Sequence, residues 1–72
     1  MSKYTAIENS YGAIEIRTDT ETVLYLQYEN DIGGFYDSLN DDDSYMISNG
    51  FEINISNNQI ITDYIDANIL PY

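Results

Sequence analysis

Carboxylates are the one reactive group that this chain carries in quantity. Thirteen Asp and Glu side chains stand against only Lys3 and Arg17, for a net charge of −11 at neutral pH, and there is neither Cys nor His. That inventory removes disulfides, thiolate chemistry, the usual zinc ligand and the usual general base. Carboxylate chemistry is what remains: an acid–base pair, a cation site or an anionic recognition surface. With so many acids some pair falls at any chosen separation, and glycosidase chemistry also needs a cleft that holds a sugar and shifts one pKa. The span Asp41–Glu52 begins D-x-D, yet Tyr45 and Met46 stand where a calcium loop needs an oxygen ligand and then Gly. Gly33-Gly34 is isolated and makes no phosphate-cradling loop. No catalytic, cofactor-binding or metal-binding residue is assigned, and the chain is read as a non-enzyme.

The recognition surface is best defined by Glu29–Asp43, E-N-D-I-G-G-F-Y-D-S-L-N-D-D-D, which holds six acids and no cation. Ile32, Phe35, Tyr36 and Leu39 interrupt the acids, so the stretch has the apolar anchors that a solvated acidic tail lacks. Eight tyrosines add a second signal. Tyr packs half-buried sheets, the expected role of most of Tyr4, Tyr25, Tyr45 and Tyr64, but it also anchors interfaces, and Tyr28, Tyr36 and Tyr45, within or beside the acidic stretch, are the better candidates for that. The candidate partner-binding residues are therefore Tyr28, Glu29, Asp31, Tyr36, Asp37, Asp41, Asp42 and Asp43, with Glu8, Glu15, Glu52, Asp63 and Asp66 available to extend the surface.

The elements that must position these residues read as an α+β domain over residues 1–72: a small antiparallel sheet of about five strands, with one short helix after the third. Tyr4–Asn9 is rich in strand formers and runs into the turn signal Asn9-Ser10-Tyr11-Gly12. Ala13–Thr18 alternates strictly, and Thr22–Glu29 is a second apolar run. A tight turn at Asp19-Thr20 would set Ile16 opposite Val23 and Ile14 opposite Tyr25. Asp31-Ile32-Gly33-Gly34 then breaks the strand pattern. Phe35–Asp41 spaces Phe35 and Leu39 for a short helix, with a plain loop as its rival and its terminal Asp residues opposing the helix dipole. Asn49-Gly50 predicts a hairpin turn between Tyr45–Ser48 and Phe51–Ser56, pairing Met46 with Ile53. Asn57-Asn58 would lead into a further strand at Gln59–Tyr64. A helix is the alternative there, because Ile60, Ile61, Tyr64 and Ile65 also fit helical spacing. Ala67–Tyr72 reads as an extended tail.

A chain of 72 residues supports one thin core and no deep substrate cleft. No stretch approaches the roughly 18 apolar residues of a membrane span, and Met1–Ser10 lacks an apolar leader core, so the expected location is the cytoplasm, with no membrane partner. The acid excess repels a nucleic-acid backbone, which argues against direct binding and for a basic protein partner. Ile, Asn and Tyr, all with AT-rich codons, are abundant; Lys shares that codon bias, yet Lys3 is the only one. Positive charge is thus avoided rather than merely rare. Spread over roughly 4,600 Å² of folded surface, the net charge amounts to one per roughly 400 Å², against about one per 100 Å² on duplex DNA. Only concentration on a face of roughly 1,000 Å² would imitate a nucleic acid.

In size, charge and composition the chain resembles the small acidic inhibitors that phages encode against host nucleic-acid enzymes: anti-CRISPR proteins, anti-restriction DNA mimics and uracil-DNA glycosylase inhibitors. The resemblance covers the whole chain in character, without a shared motif. It implies an inhibitor that covers the nucleic-acid-binding surface of a host defence protein, most readily a CRISPR effector and otherwise a nuclease or repair enzyme. The other expectation is an acidic adaptor that docks on a basic protein and leaves its nucleic acid alone.

Overall fold

Strand alternation makes one side of a sheet apolar, and here that side dictates everything laid on it. The computed structural model describes residues 3–68. Its order is β1 (Thr5–Glu8), β2 (Ile14–Arg17), β3 (Thr22–Leu26), α1 (Glu29–Asp37), α2 (Asp41–Ser48), β4 (Ile53–Asn54) and α3 (Gln59–Asn68). The four strands form one antiparallel sheet in the order β3-β2-β1-β4. Ala6, Ile14, Ile16 and Leu26 on one face join Phe35, Leu39, Ile47, Ile55, Ile61 and Ile65 in a single core closed by the three helices. The other face, with Thr5, Glu15, Arg17 and Tyr25, has no covering layer among the described residues. The α+β class with an antiparallel sheet and one open face is as expected; four strands and three helices replace five and one.

The second hairpin differs from expectation by one residue, which inverts a strand. Its loop is Thr18–Glu21, closed by the Thr18 amide on the Glu21 carbonyl at 2.8 Å, and a bulge beside Arg17 absorbs the extra residue. Leu24 therefore faces Ile16 and Leu26 faces Ile14, where Val23 and Tyr25 were expected. The outcome is physically reasonable: the side chains turned inward carry no polar atom, and the Tyr25 hydroxyl accepts a hydrogen bond from Asn9 Nδ2 at 2.7 Å on the open face.

Helices replace two expected strands. Tyr45–Ser48 belongs to α2, and Asn49-Gly50 ends that helix instead of turning a hairpin. Gly50 has φ +88°, its amide bonds the Ile47 carbonyl, and the Phe51 amide reaches back to the Met46 carbonyl at 3.0 Å. This is a Schellman termination, which asks for the same left-handed glycine that a tight hairpin does. Gln59–Tyr64 is likewise helical. The Asn58 side chain caps it by accepting from the Ile61 amide at 3.2 Å, while its Nδ2 donates to the Ser38 carbonyl at 2.9 Å and ties the end of α1 to the start of α3. Ile61 and Ile65, four apart, are its buried residues. Ala67 and Asn68 form its last turn, and the rest of the expected tail lies outside the described residues.

The expected helix Phe35–Asp41 is α1, shifted forward so that it takes in Asp31-Ile32-Gly33-Gly34. Ile32, Phe35, Tyr36 and Leu39 fall at i, i+3, i+4 and i+7, and that stripe outweighs the glycine pair. Among the described residues, a Cβ placed on Gly33 or Gly34 would meet nothing within 4 Å. Each glycine thus lowers helix stability with no packing reason among those residues. Gly33→Ala and Gly34→Ala are each expected to stabilise the fold by about 0.5–1 kcal/mol, raising Tm by roughly 2–8 °C. Gly50→Ala, at positive φ, is expected to lower Tm. Thermal melts of the three variants read this directly.

Candidate functional surface

The acidic stretch divides between two helices, and most of its charge has a local role. Glu29 and Asp31 occupy the first turn of α1, while Asp41, Asp42 and Asp43 make up the first turn of α2. Carboxylates there complement the positive end of the helix dipole. Asn40 caps α2 by accepting from the Asp43 amide at 2.8 Å. The aspartates expected to oppose a helix end thus begin the next helix. Only Asp37, in the last turn of α1, sits at an unfavourable end. Consecutive helical residues point about 100° apart, so Asp41, Asp42 and Asp43 fan around α2 instead of forming a row. No group of three ligating side chains that could hold a metal ion comes together among the described residues.

The cations lie elsewhere. Arg17 on the open sheet face is held by Glu15 at 2.8 Å and Glu52 at 3.2 Å. Its guanidinium, together with a hydrogen bond from Asn9, holds the Glu15 carboxyl below the usual carboxylate range, and Glu15 in turn raises Arg17. Thr5 donates to Glu52, and Asn9 joins Glu15 to Tyr25. Lys3 precedes β1. The three helices, by contrast, carry eight acids (Glu29, Asp31, Asp37, Asp41, Asp42, Asp43, Asp63 and Asp66) and no Lys or Arg. Cations are confined to the sheet side, where Arg17 lies between Glu15 and Glu52, while the helices carry carboxylates with no Lys or Arg to oppose them.

The two tyrosines among the candidates separate. Tyr28 precedes α1 and is 76% exposed, with no side-chain capping bond. Tyr36 packs on the core edge-on to Phe35, and its hydroxyl donates to Glu8 Oε1 at 2.6 Å. Tyr36 therefore ties α1 to β1. Similarly, the Tyr4 hydroxyl donates to Asp66 Oδ1 at 2.9 Å, joining the residue just before β1 to α3.

The spacing of the acids did not reveal an apolar groove between α1 and α3. Asp31, Gly34, Phe35, Ile60, Ile61 and Tyr64 line it, with Ile60 68% exposed. Partial burial and the nearby Asp31 carboxylate push the Tyr64 hydroxyl above its ordinary pKa. Ile60 also borders a second hollow, which Asp43 lines together with Asn58 and Gln59. Tyr11, Tyr25, Glu29 and Ile32 line a third hollow on the other side of the first turn of α1. The surface thus sets one apolar groove, between α1 and α3, beside a hollow lined mainly by Asn and Gln side chains. The signal in the sequence was Ile60 beside Ile61: with Ile61 and Ile65 on the buried face of α3, Ile60 is left 68% exposed.

Comparison with known proteins finds no matching family model, no matching curated protein and no matching solved structure. No helix among the described residues is long and apolar enough to cross a membrane.

Burial, then the bond to Glu8 and the charge of that carboxylate, push the Tyr36 hydroxyl well above its ordinary pKa of 10. A raised folded pKa contributes stability that is complete below pH 10 and is lost as pH climbs beyond it. Tyr36→Phe is expected to cost about 1–2 kcal/mol at pH 7, through loss of a hydrogen bond to a charged group. The gap between parent and variant should narrow above pH 10, because only the parent carries that linkage. Urea unfolding at pH 7 and near pH 11 checks both halves, and a gap that stays constant would contradict the role given to this bond.

Proposed function

We propose that this protein is a small acidic inhibitor that places its helix layer on the nucleic-acid-binding surface of a basic host protein. The observation that carries this reading is the segregation of charge: eight carboxylates and no cation on the helices, with Arg17 already neutralised on the sheet. Unpaired like charge destabilises a compact chain, whereas cations that normally hold phosphates would relieve it on binding and speed association. Glu29, Asp31, Asp37, Asp41, Asp42 and Asp43 form the charged contact, with exposed Asp63 added from α3 and Tyr28 as an exposed aromatic anchor. If the helix layer is about half of the 5038 Å² surface, it carries one carboxylate per roughly 300 Å². Duplex DNA, at about one phosphate per 100 Å², is denser. The mode is therefore occupation of part of a nucleic-acid channel by discrete ion pairs and apolar anchors, without a copy of a continuous backbone.

A CRISPR effector is the first partner to test, followed by a restriction enzyme and a uracil-DNA glycosylase. The expected result is loss of nucleic-acid binding by one of them, relieved by excess DNA or RNA. An adaptor that docks without blocking nucleic acid is the second reading. The groove at Ile60 favours it, since an electrostatic mimic does not need one. Capture of a partner whose nucleic-acid affinity is unchanged would select the adaptor.

Single Asp→Asn changes on such a rim should have small effects, seen chiefly in the on-rate. Asp41→Asn, Asp42→Asn and Asp43→Asn together are expected to weaken partner binding at least tenfold, about 1.4 kcal/mol. Asn40 still caps α2 in that variant, so its far-UV spectrum should match the parent. Undiminished affinity at physiological salt would confine these aspartates to a helix-starting role.

A further inference from the structure

Resting on the reading that the helix layer meets a basic protein, we infer that the α1–α3 groove receives the apolar stripe of a basic amphipathic helix from that partner. Two features point there. The first is the groove itself, with Phe35 and Ile61 buried, Ile60 68% and Tyr64 37% exposed, and Asp31 at its edge. At about 200 Å³ it falls below the range of small-molecule pockets and suits one or two side chains of such a stripe. The second is Gly34. It lines the groove, sits inside a helix that it weakens, and has open space where a Cβ would stand. A glycine so placed lets another backbone come close, as two helices do when small residues face the contact.

Charge selects among occupants. Asp31 borders the groove, Asp43 borders the hollow on the other side of Ile60, and Asp63 is exposed on α3. No helix carries a cation to offset them. A second copy of the chain would bring the same acids against these, and an anionic lipid surface would be repelled. A partner helix with an apolar stripe at i, i+3, i+4 and i+7 and Lys or Arg flanking it satisfies both the floor and the rim. Acids alone would recognise any polycation; the groove adds a requirement for shape.

The test uses two synthetic peptides of identical Lys and Leu composition, one with Leu at helical spacing and one scrambled. Each is titrated into the full chain while backbone amide shifts are followed by NMR. The striped peptide is expected to move Gly34, Ile60, Ile61 and Tyr64, and the scrambled one to leave them in place. Gly34→Ala should weaken the striped peptide at least fivefold while raising Tm, whereas Gly33→Ala should raise Tm and leave affinity unchanged. Ile60→Ser should weaken it about tenfold. The inference is overturned if the peptides bind alike, if neither binds, if the shifts lie away from the groove, or if Gly34→Ala and Gly33→Ala bind equally well. Ultracentrifugation showing a dimer that Ile60→Ser dissociates would give the groove to a second copy, which also overturns it. Groove binding without any effect on a nucleic-acid-binding protein would retire the inhibitor reading alone; competition with nucleic acid without groove binding would retire only this inference.

Discussion

Ile14 and Ile16 are fully buried at the centre of a sheet that has only one apolar face, and that one-sidedness governs the rest of the molecule. A strand places alternate residues on opposite faces, so Ile14 and Ile16 can be covered from one side only. Three short helices supply the cover, each with one or two buried anchors: Phe35 from α1, Ile47 from α2, Ile61 and Ile65 from α3. Helices of eight to ten residues are marginal alone and depend on that packing and on their caps. Asn40 and Asn58 serve as caps, and the first-turn acids of α1 and α2 complement the dipoles. The acids are thus part of how the cover forms as well as what it presents.

Strand alternation around Ile14 and Ile16 was legible because period two is hard to produce by chance over a polar-flanked run. Fold class followed from it. The hairpin register was not, since Val23, Leu24, Tyr25 and Leu26 offer an acceptable inward set in either phase, and a bulge decides between them. At Asn49-Gly50 the ambiguity is deeper: a left-handed glycine serves a hairpin and a helix terminus equally. The choice could have been made from the other end. Asn40 followed by three aspartates is a helix start, and eight residues separate it from the Asn-Gly stop. In α3, β-branched isoleucines favoured a strand, but Ile61 and Ile65 bury on one helical face, so tertiary packing overrode propensity.

The acidic character of the candidate surface was evident from composition, but its layout was not. A contiguous run of sequence became two helix starts and a helix end. Ile60 entered from a segment read as a strand, Asp63 moved from a possible extension into the helix layer, and Tyr36 left the interface set to bond Glu8. The segregation of cations from the helix layer emerges only in three dimensions, because Glu52 crosses 35 residues of sequence to reach Arg17.

Carboxyl-group footprinting, read by mass spectrometry on the protein alone and in complex with a basic nucleic-acid-binding partner, tests most directly whether the helix layer is the contact. On this account Asp31, Asp37, Asp41, Asp42, Asp43 and Asp63 lose labelling in the complex, while Glu15, Glu21 and Glu52 on the sheet side label as before. Protection of Glu15 and Glu52 with the helix aspartates still labelled would place the partner on the sheet and contradict it.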